Sequence, residues 1–177
     1  IETQAITELV GQYGTGKTQL SLELCVTSQL HTEKGGFGGG VLYFDTEGTF
    51  SSERIYQIAA NIDVDPEEIL HNIILSRVYT SDHQTFLLDH AFQRCAEENV
   101  KLVIVDSVIS HFRGEFVGRE TLAERQQKLN QYMHKLLRLA EILNLAVVVT
   151  NQAQSDPTSS SYGYGVMDRP AGGNILA

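Results

Sequence analysis

Residues Gly11 to Thr18 read Gly-Gln-Tyr-Gly-Thr-Gly-Lys-Thr and fit G-x-x-x-x-G-K-[ST] at every fixed position. These residue types suit the capture of a row of phosphates. Glycines let backbone N–H groups wrap an anion, and a helix starting where the loop ends adds the positive end of its dipole. Lys17 has the reach to meet β- and γ-phosphates, and the Thr18 hydroxyl is an oxygen ligand for Mg²⁺. Gly11, Gln12, Tyr13, Gly14, Thr15, Gly16, Lys17, Thr18 and the adjoining Gln19 are the candidate nucleotide contacts, and ATP with Mg²⁺ is the implied ligand pair.

Phosphate chemistry needs further groups. "KLVIVD" ends an apolar run in Asp106, a carboxylate suited to hold Mg²⁺ directly or through water. "VLYFDTEGTF" offers Asp45 and Glu47 at the end of another run, where a carboxylate can orient or deprotonate an attacking water. "VTNQ" ends a further run in Gln152, whose neutral amide can bond a γ-phosphate and lose it after hydrolysis, as a switch does.

These groups meet only if a scaffold gathers the ends of several strands. Apolar runs predict strands at Ala5–Val10, Val41–Asp45, Asn72–Arg77, Leu102–Asp106 and Ala146–Thr150. Several are almost continuously apolar, as in a parallel sheet covered on both faces. Helical patterns lie between them at Lys17–Leu30, Ser52–Asn61, Asp82–Glu98 and Thr121–Leu143. The last carries an apolar stripe of Leu122, Leu129, Met133, Leu136, Leu137, Ala140 and Leu143. The alternation predicts a doubly wound α/β fold. "GGFGGG", Gly35–Gly40, follows no strand and opens no helix, so it reads as a flexible connector rather than a dinucleotide fingerprint.

Composition narrows the classes. The 177 residues are 42% hydrophobic, enough for one domain with a core. No apolar run approaches the ~20 residues of a membrane span. No basic leader precedes an apolar stretch, so an intracellular protein is expected, in cytoplasm or nucleoid, or in a nucleus. The chain begins at Ile1 and reads as a piece of a longer protein. A net charge of −9 argues against nucleic-acid binding by bulk charge and leaves local basic loops open. Cys25 and Cys95 read as small buried residues, and the six His show no zinc spacing.

The strings "ITELVGQYGTGKTQL", "YFDTEGTF", "ERI", "SDHQ", "LVIVDS", "GR…LAERQ", "VTNQ" and "GGNI" occur here in order. Together they resemble the RecA superfamily, and more closely archaeal RadA and its eukaryotic strand-exchange relatives. The resemblance implies a RecA-like P-loop core with parallel strand order 3-2-4-5-1 and helices on both faces. Residues 1–177 would be a partial core, without an amino-terminal helical domain and carboxy-terminal strands. It implies Glu47 as the catalytic carboxylate, Lys17 beside it, and Gln152 as γ-phosphate sensor. Arg54 would pack on the adenine by cation–π stacking, with Gln57 nearby.

The resemblance also implies DNA-dependent ATP hydrolysis in filaments, with ATP between neighbouring subunits. Single-stranded DNA, and duplex DNA during pairing, would meet two loops. The first is Arg113–Glu120, with Arg113 and Arg119 on phosphates and Phe116 near the interface. The second is about Ala153–Asn174, where backbone N–H groups at Gly172 and Gly173 approach phosphates. Segments Asn72–Arg77 and His83–Ala91 would offer a pocket to a Phe-x-x-Ala peptide. Departures weaken the DNA expectations. Ser51-Ser52 stands where the family often has Arg-Pro, so a local anchor before Arg54 is lost. Glu120 replaces a usual Gly, which stiffens the first loop. A homologous-pairing ATPase of recombinational repair is the leading reading. A recombinase paralogue or fragment acting as an ATP-binding regulatory module is the second. A RecA-type helicase or clock-type ATPase is the third.

Overall fold

Six strands, six α-helices and one short 3-10 helix (Thr32–Lys34) follow along the chain in a computed structural model that describes residues 1–118, 120–155 and 168–171. The strands are β1 (Ile6–Gly11), β2 (Gly40–Asp45), β3 (Ile73–Arg77), β4 (Val100–Asp106), β5 (Ala146–Ser155) and β6 (Asp168–Pro170). The helices are α1 (Lys17–Thr27), α2 (Ser52–Asn61), α3 (Pro66–His71), α4 (Ser81–Glu97), α5 (Ser110–Glu115) and α6 (Leu122–Leu143). Strands one to five pair in parallel in the order β1-β5-β4-β2-β3. This is the predicted 3-2-4-5-1 read from the other edge.

Side chains of a strand alternate between faces, so continuously apolar strands feed two cores. Leu42, Phe44, Val103, Val105, Val147 and Val149 face a cluster with Leu88 of α4 and Leu129, Leu136 and Leu139 of α6. Val41, Tyr43, Leu102, Ile104, Ala146 and Val148 face the other, with Leu22 and Cys25 of α1 and Ile55 and Ala59 of α2. Cys25 and Cys95 are buried free thiols on opposite faces. Burial pushes the Cys95 thiol up to about 12 and raises that of Cys25, the latter helped by the charge of Asp106.

The structure corrects several boundaries. Strand β5 runs beyond Thr150 because its last residues still have partners. Gly11 of β1 pairs with Gln152, and β6 pairs antiparallel with residues Ala153, Gln154 and Ser155. The stem of the predicted second loop is thus a ribbon. Helix α1 stops at Thr27, where Ser28 N–H bonds Leu24 O and its own carbonyl accepts from Phe37 N–H. The glycine-rich connector is a tight turn: a Cβ at Gly36 would meet Leu30 O at 1.9 Å. On α6, Tyr132 and Leu139 take buried positions that the predicted stripe omitted, and Leu122 is 44% exposed. Helices α3 and α5 were not predicted. No helix among the described residues is long and apolar enough to cross a membrane.

Candidate nucleotide site

Parallel pairing puts the carboxy-terminal ends of β1, β2, β4 and β5 along one edge, where ligands bind in open α/β sheets. The turn after β1 leads into α1 through Gly14 at φ +79° and Gly16 at φ +89°. Both values lie in the left-handed region that glycine enters freely, and open space surrounds the Cβ positions of both. Thr15 Oγ1 donates to Gln12 O at 2.9 Å, closing the turn on itself. Lys17 Nζ reaches back across it to Gly11 O at 2.9 Å and Gln12 O at 2.8 Å. The ammonium therefore sits over a loop of backbone amides at a helix start, the arrangement expected of an anion cradle.

Behind the cradle, Asp106 is 3% exposed at the end of β4. Its Oδ2 accepts from Thr18 Oγ1 at 2.7 Å and from the Tyr43 hydroxyl at 2.9 Å. Its Oδ1 accepts from Thr150 Oγ1. Burial and the adjoining Asp106 charge raise the Tyr43 pKa, so the phenol stays a donor. The Thr18–Asp106 pair supplies two hard oxygens suited to a divalent cation, directly or through water. Among the described residues no group of three or more His, Cys, Asp or Glu forms a metal cage.

One open cleft of about 350 Å³ gathers Tyr13, Gly14, Gly16, Lys17, Thr18, Gln19, Glu47, Asp106 and Gln152 from the sequence-based candidates. It adds Thr49, Ser107 and Thr150, which the sequence reading missed. Thr150 was detectable, two residues before Gln152 on the same strand face. Gly11, Gln12 and Thr15 shape the loop without lining the cleft. A Cβ at Gly11 would meet Thr15 Oγ1 at 2.5 Å, so that residue must stay small. Glu47 is exposed in the cleft, on the turn that follows β2, and makes no hydrogen bond among the described residues.

Arg54 sits at the rim. Its Nε donates to Gln19 Oε1 at 2.8 Å and its Nη1 to Gln57 Oε1 at 3.1 Å, so Arg54 joins the other two candidates. At Ser51-Ser52, where Arg-Pro is expected of the family, a local bond is present before Arg54. Ser51 caps α2 by accepting from Arg54 N–H at 3.2 Å.

The loop candidates divide. Arg113 is half-buried on α5, and its guanidinium donates to Gln152 Oε1 at 3.2 Å. Phe116 is half-buried against the core, with Lys128 Nζ 4.8 Å from its ring centroid. A Cβ at Gly118, φ +102°, would meet Glu120 Oε1 at 2.6 Å, so the Glu120 carboxylate lies over that glycine. Arg119, Gly172 and Gly173 lie outside the described residues. At the stem, Ala171 N–H donates to Gln152 O at 2.9 Å, and Asn151 Nδ2 donates to Ala171 O at 2.6 Å.

Comparison with known proteins gives the family. A family model described as Rad51 matches residues 1–177. The chain is 51% identical over 176 residues to the DNA repair and recombination protein RadA of Cenarchaeum symbiosum, covering 99% of this chain and 44% of that protein. It is 49% identical over 176 residues to the protein of the same description from Aeropyrum pernix, covering 99% of this chain and 54% of that one. The chain thus spans about half the length of the curated relatives it matches.

Proposed function

The chain belongs to the Rad51 family, and on that premise we propose that it is the ATPase core of a DNA recombinase acting in recombinational repair. The observation that carries this reading is the convergence of Lys17, Thr18, Glu47, Asp106 and Gln152 on one cleft. Lys17 would exchange Gly11 O and Gln12 O for the β- and γ-phosphates. Mg²⁺ held through Thr18 and Asp106 would neutralise charge on the phosphates when bound. Glu47 would accept the proton of the water whose oxygen attacks the γ-phosphorus, as ADP leaves with the bond electrons. Arg54 and Gln57, through Gln19, would border the adenine. ATP bound between neighbouring subunits would assemble a filament on single-stranded DNA and support pairing with a duplex.

The Arg113–Gln152 hydrogen bond supports a coupling route. A γ-phosphate drawing on the Gln152 amide would loosen its hold on Arg113, which would then meet a DNA phosphate. The backbone bond from Ala171 to Gln152 would carry the same shift into the second loop, with Arg119, Gly172 and Gly173 as further phosphate contacts. The test is phosphate release by the full chain with and without single-stranded DNA. DNA should stimulate the rate, and Lys17→Ala should lower it by about 100-fold or more. A rate indifferent to both would remove the proposal.

One observation favours the second reading, an ATP-binding regulatory module without strand exchange. Glu120 places a carboxylate over the loop expected to meet DNA phosphates. Tight nucleotide binding with background turnover on DNA would select it.

A further inference from the structure

We propose that Asp45 and Arg77, neither of which lines the cleft, are positioning residues that aim Glu47 at the attacking water. The inference rests on the reading of Glu47 as the catalytic carboxylate. Asp45 is 3% exposed, and among the described residues every bond to its carboxylate comes from the turn that carries Glu47 or from Arg77. Oδ1 accepts from Gly48 N–H at 2.7 Å and Thr49 N–H at 3.1 Å. Oδ2 accepts from Phe50 N–H at 3.4 Å and from Arg77 Nη1 at 2.7 Å. The three residues after Glu47 are thus gathered onto one carboxylate, which Arg77 holds from β3.

The residue before Glu47 is fixed from the other side. Thr46 N–H donates to Asp106 O at 3.0 Å, and its hydroxyl bonds the backbone of Ser107 in both directions, at 3.0 and 2.7 Å. Gly48 has φ +74°, and a Cβ there would meet the Arg77 guanidinium nitrogens at 2.1 and 2.3 Å. The guanidinium therefore lies flush against the backbone next to Glu47. Among the described residues, every residue of the turn except Glu47 is tied down, and the carboxylate without a bond is the one in the cleft. A stiff turn presenting one unpaired carboxylate is how a general base is held without using its own oxygens. An error of about 1 Å in such a group can cost as much as 100-fold in rate.

Arg77 gives the cleaner test, because its side chain is 42% exposed on an edge strand and its loss spares the core. The full chain would be compared as wild type, Arg77→Met, Arg77→Lys, Glu47→Gln and the Arg77→Met/Glu47→Gln double variant. Readouts are kcat and KM for ATP, affinity for a fluorescent ATP analogue, and thermal midpoint. Arg77→Met should lower kcat about tenfold while KM and analogue affinity stay within about twofold. Arg77→Lys should recover several-fold of that loss, and Arg77→Met should add nothing in the Glu47→Gln background. The proposal fails if Arg77→Met keeps kcat while lowering only the midpoint, which marks a salt bridge serving the fold alone. It also fails if the two losses multiply. Glu47→Gln retaining wild-type turnover would instead remove the reading underneath, and the positioning role with it.

Discussion

Asp45 and Asp106 stand side by side at the ends of β2 and β4, paired in register and each 3% exposed, yet they keep opposite company. Asp106 accepts from three hydroxyls, those of Thr18, Tyr43 and Thr150. Asp45 accepts from three backbone amides and a guanidinium. Hydroxyls are neutral and rotate, so Asp106 can release them to a cation without disturbing the backbone. Amides of a turn and an arginine are fixed, so Asp45 can release nothing without unmaking the turn. One aspartate keeps partners it could exchange for a ligand, and the other is committed to the chain. Burial and position alone do not separate them, and the chemistry of their partners does.

The largest expected effect lies on the Asp106 side. Asp106→Asn should lower ATP turnover on the order of 100-fold and leave the thermal midpoint near wild type, because its oxygen still accepts on one side and a rotatable hydroxyl on the other can turn to accept from its amide. Asp45→Asn should do the reverse in balance. It loses the charge that faces Arg77 and should cost about 2 kcal/mol, below the value for a fully buried pair because Arg77 is part-exposed. Denaturant unfolding of both variants checks the contrast, and equal losses of stability would break it.

Two smaller effects sharpen the account. Arg113→Ala should reduce the ratio of DNA-stimulated to basal turnover about fivefold, within the usual range of coupling between sites. An unchanged ratio would separate Arg113 from the Gln152 route. The smallest effect concerns Glu8, beside the Asn151 that holds the loop stem. Burial raises its carboxyl above the ordinary 4.5, partly opposed by the Asn151 hydrogen bond. The protonated form is thus the one the fold prefers. Its contribution is complete below the unfolded value and is lost as pH rises through the folded one. Glu8→Gln should gain up to about 0.5 kcal/mol at pH 7 and nothing at pH 3. A gain confined to low pH would reverse the sign.

Much of this was legible in the chain. Residues Gly11–Thr18 carry a motif whose spacing encodes a loop and a helix start, and the apolar runs ending in Asp45, Asp106 and Gln152 marked strand ends. The parallel order followed from the resemblance, and the pairings agree with it. What could not be read depends on register across the sheet. Nothing local in the sequence says that Tyr43 and Thr150 share one carboxylate, or that Arg77 lies beneath Gly48, because those neighbours are 32 to 63 residues apart in the pairs given by Asp45–Arg77, Thr150–Asp106 and Tyr43–Asp106. Helix α3 was readable and missed, since Asp65 caps it and Pro66 opens it. Helix α5 has no side-chain cap, so its start carried no local mark. Arg113 read as a loop cation, and only the fold brings it against Gln152.

The contrast between the two aspartates is tested most directly by titrating Mg²⁺ into the ATPase reaction of Asp106→Asn and Asp45→Asn full chains. The half-saturating Mg²⁺ concentration should rise about tenfold or more in Asp106→Asn, and stay at the wild-type value in Asp45→Asn while its kcat falls. An unchanged Mg²⁺ requirement in Asp106→Asn, or an equal rise in both, would contradict the assignment.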